Sequence, residues 1–132
     1  MSHKISEALS FALGGVSADI STPYTTPAYV DMSGARRVLA HCVTGTIAQT
    51  ETLTVQLVQA TDAGGTASKA LGDPVVVTAP TGGAALSGVA EAMAEDMDLA
   101  NGFTHVGATV TASDGTVVAG VSVVRGDLRF SP

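Results

Sequence analysis

The chain has 132 residues, with twelve Asp and Glu against six Lys and Arg and a formal net charge of −6. That length fits one domain with a hydrophobic core that needs neither disulfide nor metal. The acidity argues against nucleic-acid binding, which requires clustered cations to displace phosphate counterions, and against docking on an anionic membrane surface.

Residues 4–13 carry Ile5, Ala8, Leu9, Ala12 and Leu13 at helical spacing, followed by Gly14-Gly15. This predicts a short N-terminal helix with a glycine C-cap, too short to be stable without docking. Glu7 and Ser10 interrupt the apolar stretch and no A-x-A site follows, which argues against a secretory signal. No segment reaches the roughly 18 apolar residues that span a bilayer. Synthesis in a cytoplasm is the expectation. Residues 16–27 are rich in Thr, Ser and Pro, and Pro23 and Pro27 push their predecessors to extended conformations. They read as an extended arm or an ordinary loop.

From residue 28 the signals are β. Tyr29–Met32 is a short strand candidate, and Arg36–Thr44 follows the turn at Ser33-Gly34. Glu51–Ala60 is the cleanest strand, with Leu53, Val55 and Leu57 alternating with Thr52, Thr54 and Gln56. Asp62-Ala63-Gly64-Gly65 reverses the chain. Ala67–Leu71 and Pro74–Ala79 follow, the second entered through a proline that suits a strand start. Residues 84–95 fit helical spacing through Leu86, Val89, Ala90 and Met93, and strand alternation through Ala85, Ser87, Val89 and Glu91. Gly88 costs about 1 kcal/mol in a helix interior, and the β signals on either side favour a strand or an irregular passage. Phe103–Ser113 and Thr116–Arg125 flank Asp114-Gly115, a pair that predicts a type I′ hairpin. Asp127–Phe130 is a last strand candidate. The expected fold is all-β, an antiparallel β-sandwich or jelly-roll-like barrel. The helix and arm occupy 1–27 and a single sandwich domain occupies 28–132.

No enzyme chemistry converges in the sequence. Cys42 is the one cysteine, which excludes an intrachain disulfide. It lies in an apolar strand, a setting that raises a thiol pKa. His41 beside it points to the opposite face, and no C-x-x-C or H-E-x-x-H spacing accompanies His3, His41 or His105. The acidic run Glu95-Asp96-Met97-Asp98 before Asn101-Gly102 invites a calcium reading. It fails the EF-hand pattern: counted from Asp96, position 5 is Ala100 and position 12 is Gly107. No nucleophile elbow or phosphate-cradling glycine loop exists. Neither a cofactor nor a metal is expected, and the chain reads as a non-enzyme. Cations are scarce, and Arg is favoured at interfaces for its planar fork. Arg36, Arg37, Arg125 and Arg129 are therefore candidate interface residues. Ile5, Leu9 and Leu13 of the helix, Tyr24 of the arm and Phe130 near the C-terminus join them.

Ile5–Leu13 (ISEALSFAL), Thr52–Leu71 (TLTVQLVQATDAGGTASKAL), Asp98–Phe103 (DLANGF) and the terminal Leu128–Pro132 (LRFSP) together resemble small proteins encoded beside the major capsid protein in tailed bacteriophages. The resemblance implies a decoration or cement protein on the outer capsid surface, a virion location, the major capsid protein as partner, and a homo-oligomer, by analogy a trimer. It carries over no catalytic residues. The alternatives are a tail, neck or connector component, a ligand-binding β-sandwich, and, weakest, a hydrolase built on Cys42 or the Asp96/Asp98 pair. The sugar-binding form of the sandwich would want aromatic platforms, and the chain has three Phe, two Tyr and no Trp.

Overall fold

The computed structural model describes residues 10–17, 19–26, 28–113 and 117–126. Ten strands form two antiparallel sheets: β1 (Ser10–Ser17), β2 (Tyr24–Thr25), β3 (Val30–Asp31), β4 (Arg37–Ile47), β5 (Thr52–Ala60), β6 (Lys69–Ala70), β7 (Val75–Thr78), β8 (Ala84–Met93), β9 (His105–Ala112) and β10 (Ala119–Gly126). Sheet A runs β1-β10-β4-β8. Sheet B runs β2-β9-β5-β6, with β3 also on β9 and β7 also on β5. The short pairs β2/β3 and β6/β7 are each one edge strand broken in the middle. Counted that way, four strands face four, in the order first-eighth-third-sixth over second-seventh-fourth-fifth. This is the winding of a jelly roll, two Greek keys closed face to face. The expected all-β sandwich is the fold observed.

Alternation places the core. Val38, Ala40 and Cys42 of β4, Val121 and Val123 of β10, and Leu86 and Ala90 of β8 face Leu53, Val55 and Leu57 of β5 and Val106, Ala108 and Val110 of β9. All of them are buried. Ile20, Ile47 and Val117 seal one end of the sandwich, where β4 gives way to β5, and Met32, Ala35 and Met97 seal the other.

Three expectations need correction. Residues 10–13, expected in a helix, begin strand β1, which pairs with β10 from Ser10↔Arg125 to Ser17↔Ala119. A helix of three turns gains only its own backbone bonds, whereas the open edge of β10 satisfies the same groups and extends a sheet. Residues 4–9 lie outside the described residues. The stretch expected as an arm is extended but built into the sandwich. Ile20 is fully buried, Tyr24 and Thr25 pair with Val110 and Thr109, and Thr26 is buried. The Thr26 N–H donates to Ala108 O at 2.9 Å, and its Oγ1 accepts the Ala108 N–H at 3.1 Å. Finally, the runs flanking Asp114-Gly115 do not pair as a hairpin: β9 belongs to sheet B and β10 to sheet A. Asp114-Gly115 itself, like Asp127–Phe130, lies outside the described residues. Strand pairing is decided by which inner face each run fills, and a local turn signal cannot see that.

The ambiguous segment 84–95 resolves as strand β8 followed by a single 3-10 turn, Ala94–Asp96. One glycine is imposed by packing. Gly107 faces outward on β9 yet is buried, because the Tyr29 ring lies over it. A Cβ there would sit 2.8 Å from Thr26 Oγ1 and 3.1 Å from the ring. Gly107→Ala is expected to destabilise the fold by about 1–3 kcal/mol, read as a lowered urea midpoint with unchanged slope. Val76→Ala, on an exposed edge, is expected to stay within about 0.5 kcal/mol.

Candidate functional site: the charged end of the sandwich

Register brings the cations together. Arg37 pairs with Gly126 and Met93, Arg125 with Val38, and Lys69 with Gln59, so all lie at one end of the sandwich with Arg36. The four Lys and Arg among the described residues are therefore clustered, although 33 residues separate Arg36 from Lys69 and 56 separate Lys69 from Arg125 in sequence. They are not a basic patch. Asp31, Asp62, Glu91, Glu95, Asp96 and Asp98 are interleaved at the same end.

Two of the four cations hold the fold together. Arg125 lies on the inner face of β10, half-buried, and its Nη1 donates to Asp31 O at 2.7 Å, tying sheet A to β3 of sheet B. It is a brace between the layers. Lys69 reaches Asp98 Oδ2 at 2.5 Å and lies over the Phe103 ring, 4.3 Å from its centroid. Asn101 Nδ2 donates to both Asp98 oxygens at 2.9 Å. The buried Gln59 side chain accepts the Asp98 N–H at 2.9 Å and donates to Ala70 O at 3.1 Å. The exposed ion pair adds little on its own; Gln59, which is buried, is the firmer anchor of the 97–103 segment.

The calcium reading finds no geometry. Asp96 Oδ2 accepts the Met93 N–H at 3.1 Å, while Asp98 is occupied by Lys69 and Asn101. Among the described residues no three His, Cys, Asp or Glu side chains come close enough to hold a metal ion. Cys42 is fully buried, and burial pushes its thiol up to about 11. Its neighbour His41 is exposed on the other face of β4. His105 Nδ1 lies 2.9 Å from Thr104 Oγ1.

A shallow, open groove crosses this end in three contiguous hollows of about 300, 270 and 380 Å³. Met32, Ala35, Ala94 and Leu99 floor it, and Arg36, Arg37 and Glu91 stand along its rim. Its two lining hydroxyls are engaged locally: Ser33 Oγ donates to Asp31 Oδ1 at 2.5 Å, and Thr104 Oγ1 lies 2.9 Å from His105 Nδ1. What the arrangement offers is contact: an apolar floor with charges of both signs around it.

Of the expected interface residues, Arg36 and Arg37 are exposed on this groove. Arg125 adjoins them and is spent on the brace. Tyr24 is half-buried against the core at the far end, where a Cβ on Gly15 would meet its hydroxyl at 2.0 Å. Leu13 is in β1 opposite Ser122. Ile5, Leu9, Arg129 and Phe130 lie outside the described residues. Sequence reasoning missed the apolar positions on the outer face of sheet A, Val43 and Val89, each about half exposed. Their signal was the strand alternation that leaves every second valine facing outward.

No protein-family model matches the sequence, and no curated protein matches it. Solved structures do match in fold. The VP2 subviral particle of infectious bursal disease virus overlays 93% of this chain on 33% of that chain, with a TM-score of 0.54 and 12% identity. A second structure of that virus, of the Gx strain, overlays 91% on 32%, at 0.48 and 12% identity. A protein of Bacillus endospore appendages, described as a family of disulfide-linked pili, overlays 91% of this chain on 87% of that one, at 0.44 and 16% identity. The chain thus spans about a third of the length of the viral proteins it matches. The first of these likenesses gives this chain the same fold as part of that VP2 chain.

Two measurements test the chemistry of this end and of the core. Asp19, Asp31, Asp62 and Asp98 all have carboxyls held below the usual range, Asp98 first by the hydrogen bond from Lys69 and the others first by Ser21, Ser33 and Thr66. A lowered folded value means that the unfolded chain binds protons more readily. The stabilisation is then present above the unfolded value, about 4, and is lost as pH falls through the folded one. Melting temperature is expected to be flat from pH 7 to 5 and to drop below pH 4; Asp98→Asn should lower it at pH 7 and shallow the acid limb. For Cys42, a disulfide thiol reagent at pH 8 is expected to react with the native protein roughly 100-fold more slowly than with the urea-unfolded chain.

Proposed function

We propose that this chain is a structural virion protein that binds the outer surface of a tailed-bacteriophage capsid and stabilises it. The observation that carries the reading is the eight-stranded jelly roll that overlays on part of a viral shell protein with a TM-score of 0.54. The resemblance of Ile5–Leu13, Thr52–Leu71 and Asp98–Phe103 to small proteins encoded beside the capsid gene supports the phage assignment. Two surfaces suit such a role. The groove at the charged end offers apolar contact with charges of both signs, which fits a polar protein partner better than a polyanion. The outer face of sheet B is a neutral lattice of Thr25, Thr54, Thr109 and Thr111. The mechanism is mass action: a protein that binds the assembled shell and not its dissociated subunits lowers the free energy of the shell by its binding energy, repeated at every site.

The test is addition of purified protein to particles assembled without it. Saturation near the copy number of the shell protein, with a raised temperature of particle disruption, is expected. Binding confined to the tail or neck, at about a dozen copies or fewer as ring symmetry dictates, would replace the reading with a connector role. Absence from purified particles would end it.

A further inference from the structure

Among the described residues, three of the four sheet edges are blunted and the fourth is not. On β1 the register slips between Leu13 and Gly15, where Gly15 has φ +148°. β2 and β3 are two-residue pieces separated along β9. β6 and β7 are likewise separated, by a segment containing Gly72 at φ +73° and Pro74. These are the devices by which sheets discourage pairing with another chain. β8 has none of them. It runs ten residues, Ala84–Met93, without proline or positive φ. The bulge it shares with β4 is carried by β4, where Thr44 and Gly45 together oppose Leu86.

Hydrogen bonding shows which backbone groups of β8 face the open edge. The Leu86 N–H donates to Thr44 Oγ1 at 3.0 Å and the Ala94 N–H to Arg36 O at 2.8 Å, so even-numbered residues turn toward β4. The Met93 N–H turns the other way and is capped by Asp96. Ala85, Ser87, Val89 and Glu91 therefore aim their N–H and C=O groups off the edge of the sheet, toward a strand. We propose that this strand is β8 of a second copy, paired antiparallel about a two-fold axis at Val89 so that two four-stranded sheets become one of eight.

The side chains of β8 are self-complementary in that register. On the outer face Val89 meets Val89, Ser87 meets Glu91, and Ala85 meets Met93. On the inner face Leu86 meets Ala92 and Gly88 meets Ala90. Large stands opposite small at each unequal pair, the one charged residue finds a hydroxyl, and no like charges face each other directly. Ser87, Val89 and Glu91 exchange both backbone bonds with their partners. Val89, now half exposed, is covered at the axis. The contact is isologous, so it closes at two copies instead of propagating. The inference does not depend on the virion reading, because it concerns the purified chain in solution.

Sedimentation velocity of the full chain is expected to show twice 13.1 kDa. Val89→Pro removes only an edge-facing N–H and Val89→Lys sets like charges together; both should sediment as folded monomers with the parent's circular dichroism. In a Cys42→Ala background, oxidised Val89→Cys should yield a covalent dimer. Ala85→Cys, whose two copies would lie about 27 Å apart in this register, should not. A monomeric or trimeric parent, a dimer untouched by both Val89 substitutions, or equal cross-linking of the two cysteine variants would overturn the proposal. If both Val89 variants unfold, the cross-linking comparison decides alone.

Discussion

Everything in this molecule depends on how closely the two sheets can approach. Sheets pack about 10 Å apart when their inner faces carry ordinary side chains, and here the buried positions of those faces are mostly Val, Ala and Leu with one Cys, while the one ring described against them, Tyr24, is only half-buried at one end. At β8 the approach is closer still: a Cβ on Gly88 would stand 3.0 Å from Val55 Cγ2 of the opposite sheet. Scarce aromatics, abundant Ala and Val and a lone buried thiol are thus one fact about the core. Each inner residue contributes a small apolar area, so stability depends on filling all of it and on completing the backbone ladders around it.

The open ends of the sandwich are where that completion is hardest, and there polar side chains take over. Arg125 crosses from one sheet to the end of β3, Gln59 holds both Ala70 and Asp98, and Thr26 gives its hydroxyl to β9. These groups look like candidates for chemistry when read singly. In place they close gaps between layers, and what remains outward is a groove and two sheet faces suited to contact.

Strands whose two faces differ sharply were legible from sequence: β5 was visible in Leu53, Val55 and Leu57, and β9 and β10 in their alternating small residues. The errors came from local signals competing with distant ones. Ile5 to Leu13 has helical spacing, but β10 offers its edge to residues 10–17, and that edge is more than a hundred residues away in sequence. Asp114-Gly115 is sound turn chemistry between strands that the core assigns to different sheets. The charged end was half legible. Scarcity of Arg singled out Arg36, Arg37 and Arg125, while their meeting with Lys69 is a product of register, and the division between brace and rim appears only once inner and outer faces are known. Tyr24 lies in the stretch that reads as an arm, and its side chain packs against the core.

The first and last described strands are neighbours, with Ser10 opposite Arg125 at the charged end and Ser17 opposite Ala119 at the other. This has a mechanical consequence. Pulling Ser10 and Gly126 apart loads the β1–β10 ladder from one end, so its bonds open in turn, as in a zipper, and never share the force. A load that drew β4 and β10 in opposite directions along their lengths would instead strain a whole row of bonds at once. The sandwich is compliant when stretched between Ser10 and Gly126 and stiff along its sheets, so a load taken up by a broad contact on a sheet face would leave it intact under tension.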